Sequence, residues 1–139
     1  MDANKPAIEV KPPSNRHYIH KVRQNSLAKT RNTVIEPSIP IKQDITDINT
    51  GKAIYQKDEN GIDIYAINGR IYGVKPDGRS YPIEGQGFYQ LNRSSYKALG
   101  VYNQFGQTIC AENILDKMGT DSIDRQTALK IWKNNQKSK

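Results

Sequence analysis

IDIYAINGRIYGVKPDGRSYPI, residues 62–83, decides the fold. Asn68-Gly69 stands between two alternating apolar runs, and this dipeptide favours the positive φ angles of a type I′ turn, whose twist matches the strands it joins. A second turn follows at Lys75-Pro76-Asp77-Gly78, where proline presets φ at the first corner and glycine supplies a left-handed residue. The stretch therefore reads as three short antiparallel strands in a meander. Counting outward from Asn68-Gly69 pairs Ile67 with Arg70, Tyr65 with Tyr72 and Asp63 with Val74. One face then carries Ile62, Ile64, Ala66 and Ile71 and is expected to be buried against helices. The other carries Tyr65, Tyr72, Arg70 and Asp63 and is expected to stay wet. Interleaved tyrosine and arginine on an exposed sheet stack on bases and bind phosphates. Cross-strand tyrosine pairs also stabilise small sheets with no ligand at all.

Upstream, KAIYQ (residues 52–56) is a first strand joined to the meander through residues 57–61. A two-residue turn at Asn60-Gly61 and a longer loop would put Tyr55 on opposite faces, and the sequence leaves both open. Downstream, Gly85 and Gly87 lead into a final strand over residues 88–91 and mark a bend or bulge. This Gly-x-Gly lacks both the Rossmann pattern and the lysine of a P-loop. Three helices finish the chain. The first covers residues 94–104, capped by a serine or Asn92 and stopped by Gly106. Thr108 caps the second, whose Ala111, Ile114, Leu115 and Met118 share one face before Gly119 ends it. Asp121 or Ser122 caps the third, which is expected to bury Ile123, Ala128, Leu129, Ile131 and Trp132. The expected fold is α+β: a small antiparallel β-meander followed by two or three C-terminal helices that pack on the Ile62/Ile64/Ile71 face.

Residues 1–49 read as a flexible, proline-containing basic arm ahead of a single compact domain over residues 50–139, because Pro6, Pro12, Pro13, Pro37 and Pro40 interrupt any long helix. Within the arm, RHYIHKVRQNSLAKTR (residues 16–31) fits a short basic helix with a thin apolar side of Tyr18, Ile19, Val22 and Leu27. The 139-residue length suits one domain with a core, while 35% hydrophobic residues and a mean hydropathy of -0.79 put part of the chain outside it. A net charge of +7 and a pI near 9.5 make a polyanion the first partner to consider, ahead of an acidic protein or an anionic membrane surface. Cys110 is the single cysteine, so an intrachain disulfide is excluded. No apolar run reaches the roughly 18 residues that span a bilayer. The N-terminus lacks the apolar core of a signal peptide. Cytoplasmic action is the expectation, and export or injection into a target cell would need a larger delivery protein or another system. Two histidines, one cysteine and scattered acids show no ligand spacing, so neither metal nor cofactor is expected.

The charge is uneven. Lys11, Arg16, Lys21, Arg23, Lys29 and Arg31 stand in an acid-free run, and the C-terminal part is basic again. The candidate nucleic-acid contacts are Arg16, Lys21 and Arg23 in the arm, Tyr65, Arg70 and Tyr72 on the sheet, and Arg125, Lys130 and Lys133 on the last helix. His17 and His20 are the only imidazoles, and i, i+3 spacing puts both on one side of a helix. Such a pair can cleave RNA without metal, one ring taking the 2′-hydroxyl proton while another group protonates the leaving oxygen.

Residues 98–132 resemble the C-terminal helix-turn-helix of Fis-type DNA-binding proteins through Ala98, Leu99, Gly106, Ala111, Ile114, Leu115, Gly119, Arg125, Thr127 and Leu129. The resemblance implies a last helix in the major groove, presenting Arg125, Gln126, Lys130 and Lys133. The stretch 120–124 makes the turn longer than the motif's, and Asp121 and Asp124 carry the wrong sign for phosphate. A small basic domain with a proline-rich lead-in is also similar in general look to the metal-independent ribonuclease toxins at the C-termini of bacterial delivery proteins. The functions expected are, in order, nucleic-acid binding, such a toxin with an acidic immunity protein as partner, and an adaptor for an acidic regulatory protein.

Overall fold

A computed structural model describes residues 4–137. The fold is α+β, as expected. In chain order its elements are β1 (Asn32–Ile35), α1 (Ile41–Asn49), β2 (Ile54–Lys57), β3 (Asp63–Ile67), β4 (Arg70–Val74) and β5 (Ser80–Gly85). There follow β6 (Phe88–Leu91), α2 (Arg93–Phe105), α3 (Ile109–Met118) and α4 (Ser122–Lys137), and two 3-10 turns precede β1 at Asn15–His17 and Ile19–Lys21. The chain forms two compact units interleaved in sequence. The first takes Met1–Ser14 and Ser38–Phe88, the second Asn15–Pro37 and Tyr89–Lys139.

In the first unit β2, β3, β4 and β5 form a four-stranded antiparallel sheet in sequential order. The central register is the one counted from the turn, with Ile67 opposite Arg70, Tyr65 opposite Tyr72 and Asp63 opposite Val74. Asn68 and Gly69 have φ of 53° and 82°, the pair of left-handed residues a type I′ turn demands. The β2–β3 connection is the longer loop. Asp58 Oδ1 accepts from the backbone N–H groups of Asn60 and Ile62 at 2.8 Å, and Tyr55 comes opposite Tyr65 with ring centroids 5.2 Å apart.

The two faces of the sheet are the reverse of the expectation. Tyr65 is 5% exposed, Tyr72 0% and Arg70 5%, whereas Ile62, Ile64, Ala66 and Ile71 are only half-buried. The cause is α1, which packs against β3 and turns Ile41, Asp44, Ile45 and Ile48 inward. A helix that brings a carboxylate to the sheet makes the arginine and tyrosine face the one that can be buried.

Both units draw core side chains from before residue 50. Val10, Ile41, Ile45 and Ile48 are buried in the first, and Ile19, Val22, Val34 and Ile35 in the second. The prolines punctuate this segment without keeping it out of the core. Pro40 sits immediately before α1, and Pro12 and Pro13 follow an extended stretch in which Lys11 N–H donates to Gly78 O at 2.8 Å and Ser80 N–H to Lys11 O at 3.0 Å. Gly78 is required there. Its φ is 92°, and a Cβ would stand 2.6 Å from the Glu9 carbonyl oxygen.

In the second unit α2 packs against both α3 and α4, over a core that includes Ile19, Val22, Tyr96, Leu99, Tyr102, Leu115 and Ile131. The caps are those read from the sequence. Asn92 Oδ1 accepts from Ser95 N–H at 2.8 Å, Thr108 Oγ1 from Ala111 N–H at 3.2 Å, and Asp121 Oδ1 from Asp124 N–H at 2.8 Å. β6 leaves the meander and pairs with β1. Ile123, expected inside, is 71% exposed. At 100° per residue it points about 140° away from Ala128, on which α4 seats.

Candidate nucleic-acid interface

The site is built where residues 19–26 lie on α2. Gly100 makes this possible, because a Cβ at that helix position would overlap the Arg23 carbonyl. Asn103, one turn on, donates its amide to Ile19 O at 2.6 Å and Val22 O at 2.9 Å. Gln104 Oε1 accepts from Gln24 N–H at 2.5 Å. The turn at residues 23–26 closes on itself, Ser26 N–H donating to Arg23 O at 3.0 Å and Arg23 N–H to Ser26 Oγ at 2.8 Å. Arg23, Gln24, Asn25 and Gln104 thereby line an open depression of about 470 Å³. Arg23 Nη1 donates to His20 O at 2.8 Å and Val22 O at 3.0 Å, which fixes the guanidinium at the rim. Beside it Lys21 is exposed, its Nζ 5.3 Å from the Tyr18 ring centroid.

Arg16 does not extend to solvent as an arm residue would. Its Nε donates to Leu27 O at 3.0 Å, Nη2 donates to Asn32 Oδ1, and the guanidinium lies 5.3 Å from the centre of the Tyr96 ring. His17 and His20 are not presented as a pair. His17 is 8% exposed, and its Nδ1 lies 2.8 Å from Thr33 O, which can only accept, so Nδ1 carries the proton and Nε2 accepts from Arg16 Nη1 at 3.4 Å. His20 points to solvent. The break between the two 3-10 turns at Tyr18 removes the helical spacing that would have aligned them.

Arg70, Tyr65 and Tyr72 are buried in the first unit and face no solvent-borne polymer. Asp44 accepts from Arg70 Nε at 2.6 Å, Arg70 Nη2 at 2.9 Å, Tyr72 OH at 2.5 Å and Asn68 Nδ2 at 2.9 Å. Burial alone would raise the Asp44 carboxyl, but the bonds from Arg70, Asn68 and Tyr72 outweigh it and hold the group below the ordinary carboxylate range. Burial, then the hydrogen bond to Asp44, pushes the Tyr72 phenol far up.

The last helix divides its candidates. Arg125 turns back, its Nε donating to Thr120 O at 2.9 Å, Nη1 to Glu112 at 3.0 Å and Nη2 to Asp116 at 2.8 Å, so it ties α4 to α3. Gln126, Lys130 and Lys133 are exposed along one stripe opposite Ala128 and Ile131. Sequence reasoning missed Asp44, Asn25, Gly100 and Gln104. The signals were an acid on the Ile41/Ile45/Ile48 stripe and a glycine inside a helix.

The two units differ in charge. The second carries thirteen Lys and Arg against five Asp and Glu, and the first carries eight against nine. In the second unit Lys21, Arg23, Lys29, Arg31, Arg93, Lys97, Lys117, Lys130 and Lys133 are exposed, and among the described residues none of these is in an ion pair. Glu112 and Asp116 are engaged by Arg125. Among the described residues no cluster of three or more His, Cys, Asp or Glu side chains is placed to hold a metal ion, and no helix is long and apolar enough to cross a membrane. Compared with known proteins, the chain matches no family model, no curated protein and no solved structure.

Proposed function

We propose that this chain binds nucleic acid and holds the phosphate backbone through its second unit. The observation that carries the reading is the separation of charge: a net +8 on the second unit against -1 on the first. Uncompensated exposed cations release condensed counterions when they meet phosphates, and that release drives binding without regard to sequence. The Lys130/Lys133 stripe of α4 and the Lys21/Arg23 turn are the contacts this reading assigns. The ribonuclease reading draws less from the geometry, since His17 is inward and already bonded at both ring nitrogens.

Fluorescence anisotropy with labelled DNA and RNA over a salt series tests the proposal. Four phosphate contacts give a slope of about -3 to -4 in log K against log salt. Lys130→Glu with Lys133→Glu reduces that slope by about 2. Lys42→Glu with Lys75→Glu, on exposed positions of the first unit, leaves it unchanged. Absence of binding in dilute buffer, or equal sensitivity to both pairs, refutes the assignment. Shortening of RNA in EDTA during the same incubation moves the function to the nuclease reading instead.

A further inference from the structure

The depression on α2 has a composition that phosphate binding does not explain. Of its four lining side chains three are carboxamides, from Gln24, Asn25 and Gln104, and one is a guanidinium, from Arg23. A carboxamide offers one acceptor and two donors in a plane with no net charge. That is poor compensation for a phosphate and a good match for the edge of a base, which presents donors and acceptors side by side. The depression is shallow, polar and open to solvent. Its shape matters as much. A shallow open surface does not enter a duplex groove, which receives a protruding helix or ribbon, whereas an unstacked base can lie against it and offer its edge to the amides.

Two further observations bear on the same place. Gln24 and Asn25 are exposed at the corners of the turn at residues 23–26, and among the described residues their side chains make no hydrogen bond to the protein. Their backbone, by contrast, is held by Gln104, Ser26 and the close approach to Gly100. The backbone is held while both amides face solvent, where they can donate and accept in one plane. Lys97, exposed on the same stripe of α2 as Gly100 and Gln104, and Lys21 beside Arg23 supply charge for the flanking phosphates.

We infer that the depression formed by Arg23, Gln24, Asn25 and Gln104 takes an unpaired nucleobase, so that the protein prefers single-stranded nucleic acid to duplex. The inference rests on the proposed phosphate contacts and adds a base contact to them. Binding of a labelled single-stranded RNA and of the same strand fully paired is compared at one salt concentration, with wild type and with the Gln24→Ala/Asn25→Ala variant. Neither residue has positive φ nor a side-chain bond to lose, so the variant keeps the fold. The single strand binds wild type roughly fivefold to a hundredfold tighter than the duplex, the range one bidentate base contact supplies. The variant loses that preference while its salt slope and duplex affinity stay. Equal or tighter binding of the duplex by wild type, or a preference that survives in the variant, overturns the inference and leaves the phosphate reading standing. Failure to bind either polymer in dilute buffer overturns both.

Discussion

Replacing Asp44 by asparagine is the sharpest test of how the first unit is held together. The carboxylate is 0% exposed and accepts four hydrogen bonds, two of them from Arg70, which is itself 5% exposed. Asparagine keeps the shape but turns an amide donor toward donors, and it leaves the Arg70 charge buried without a counterion. Breaking one partner out of a buried pair costs about 3–5 kcal/mol, against about 1 kcal/mol for an ordinary neutral hydrogen bond. Against the 5–15 kcal/mol of a typical domain, that is a large share. Trp132 belongs to the second unit, so its fluorescence does not report on this network directly. Hydrogen exchange at the backbone amides of Tyr65 and Tyr72 does, and it should quicken by roughly a hundredfold to several thousandfold where exchange needs unfolding of the unit. The pH dependence has a defined sign. The folded-state pKa of Asp44 lies below its unfolded value, so the contribution is fully present above about pH 4 and is lost as pH falls through the depressed folded value. The gap between wild type and D44N should therefore narrow in acid. Adding Arg70→Met to D44N should recover part of the stability, because the buried charge goes with its partner. A D44N protein with exchange rates unchanged at neutral pH, or a deficit that persists undiminished in acid, would refute the account of this network.

Three further outcomes are expected of the second unit, each readable by Trp132 fluorescence or tyrosine absorbance. Gly100→Ala should lower the urea midpoint, since overlap with the Arg23 carbonyl costs about 1–3 kcal/mol and exceeds the roughly 1 kcal/mol that alanine gains in a helix; a raised midpoint would mean that residues 19–26 do not rest on α2. His17→Ala should cost about 1–3 kcal/mol through the orphaned Thr33 carbonyl and Arg16 donor, and more than His20→Ala, whose ring is exposed; equal effects would contradict the inward and outward placement. Burial and then the hydrogen bond to Glu112 push Tyr102 up to about 12, so the difference between the absorbance titrations of wild type and Tyr102→Phe should be one phenol ionising near that value, ahead of the still later Tyr72. The folded value of Tyr102 is raised, so its contribution holds below the ordinary value of about 10 and is lost as pH rises toward 12.

Local signals were sufficient wherever a single turn or cap decides the geometry. Asn68-Gly69 set the register of β3 and β4, Asn92, Thr108 and Asp121 started the three C-terminal helices, and Gly106 and Gly119 followed the ends of the first two. These depend on backbone dihedrals and hydrogen bonds within a few residues, which the chain carries in its own order. Which face of the sheet is buried was beyond that reach. It depends on Asp44, 26 residues from Arg70 in the chain, and only the approach of α1 makes a guanidinium and a phenol cheaper to bury than isoleucines. The candidate interface likewise joins Gln24 to Gln104 across 80 residues. Amino-acid order alone determined an α+β chain with an excess of positive charge; the tertiary structure decided where that charge is concentrated and which arginines, histidines and tyrosines are spent inside, because burial is settled by long-range partners that no local pattern contains.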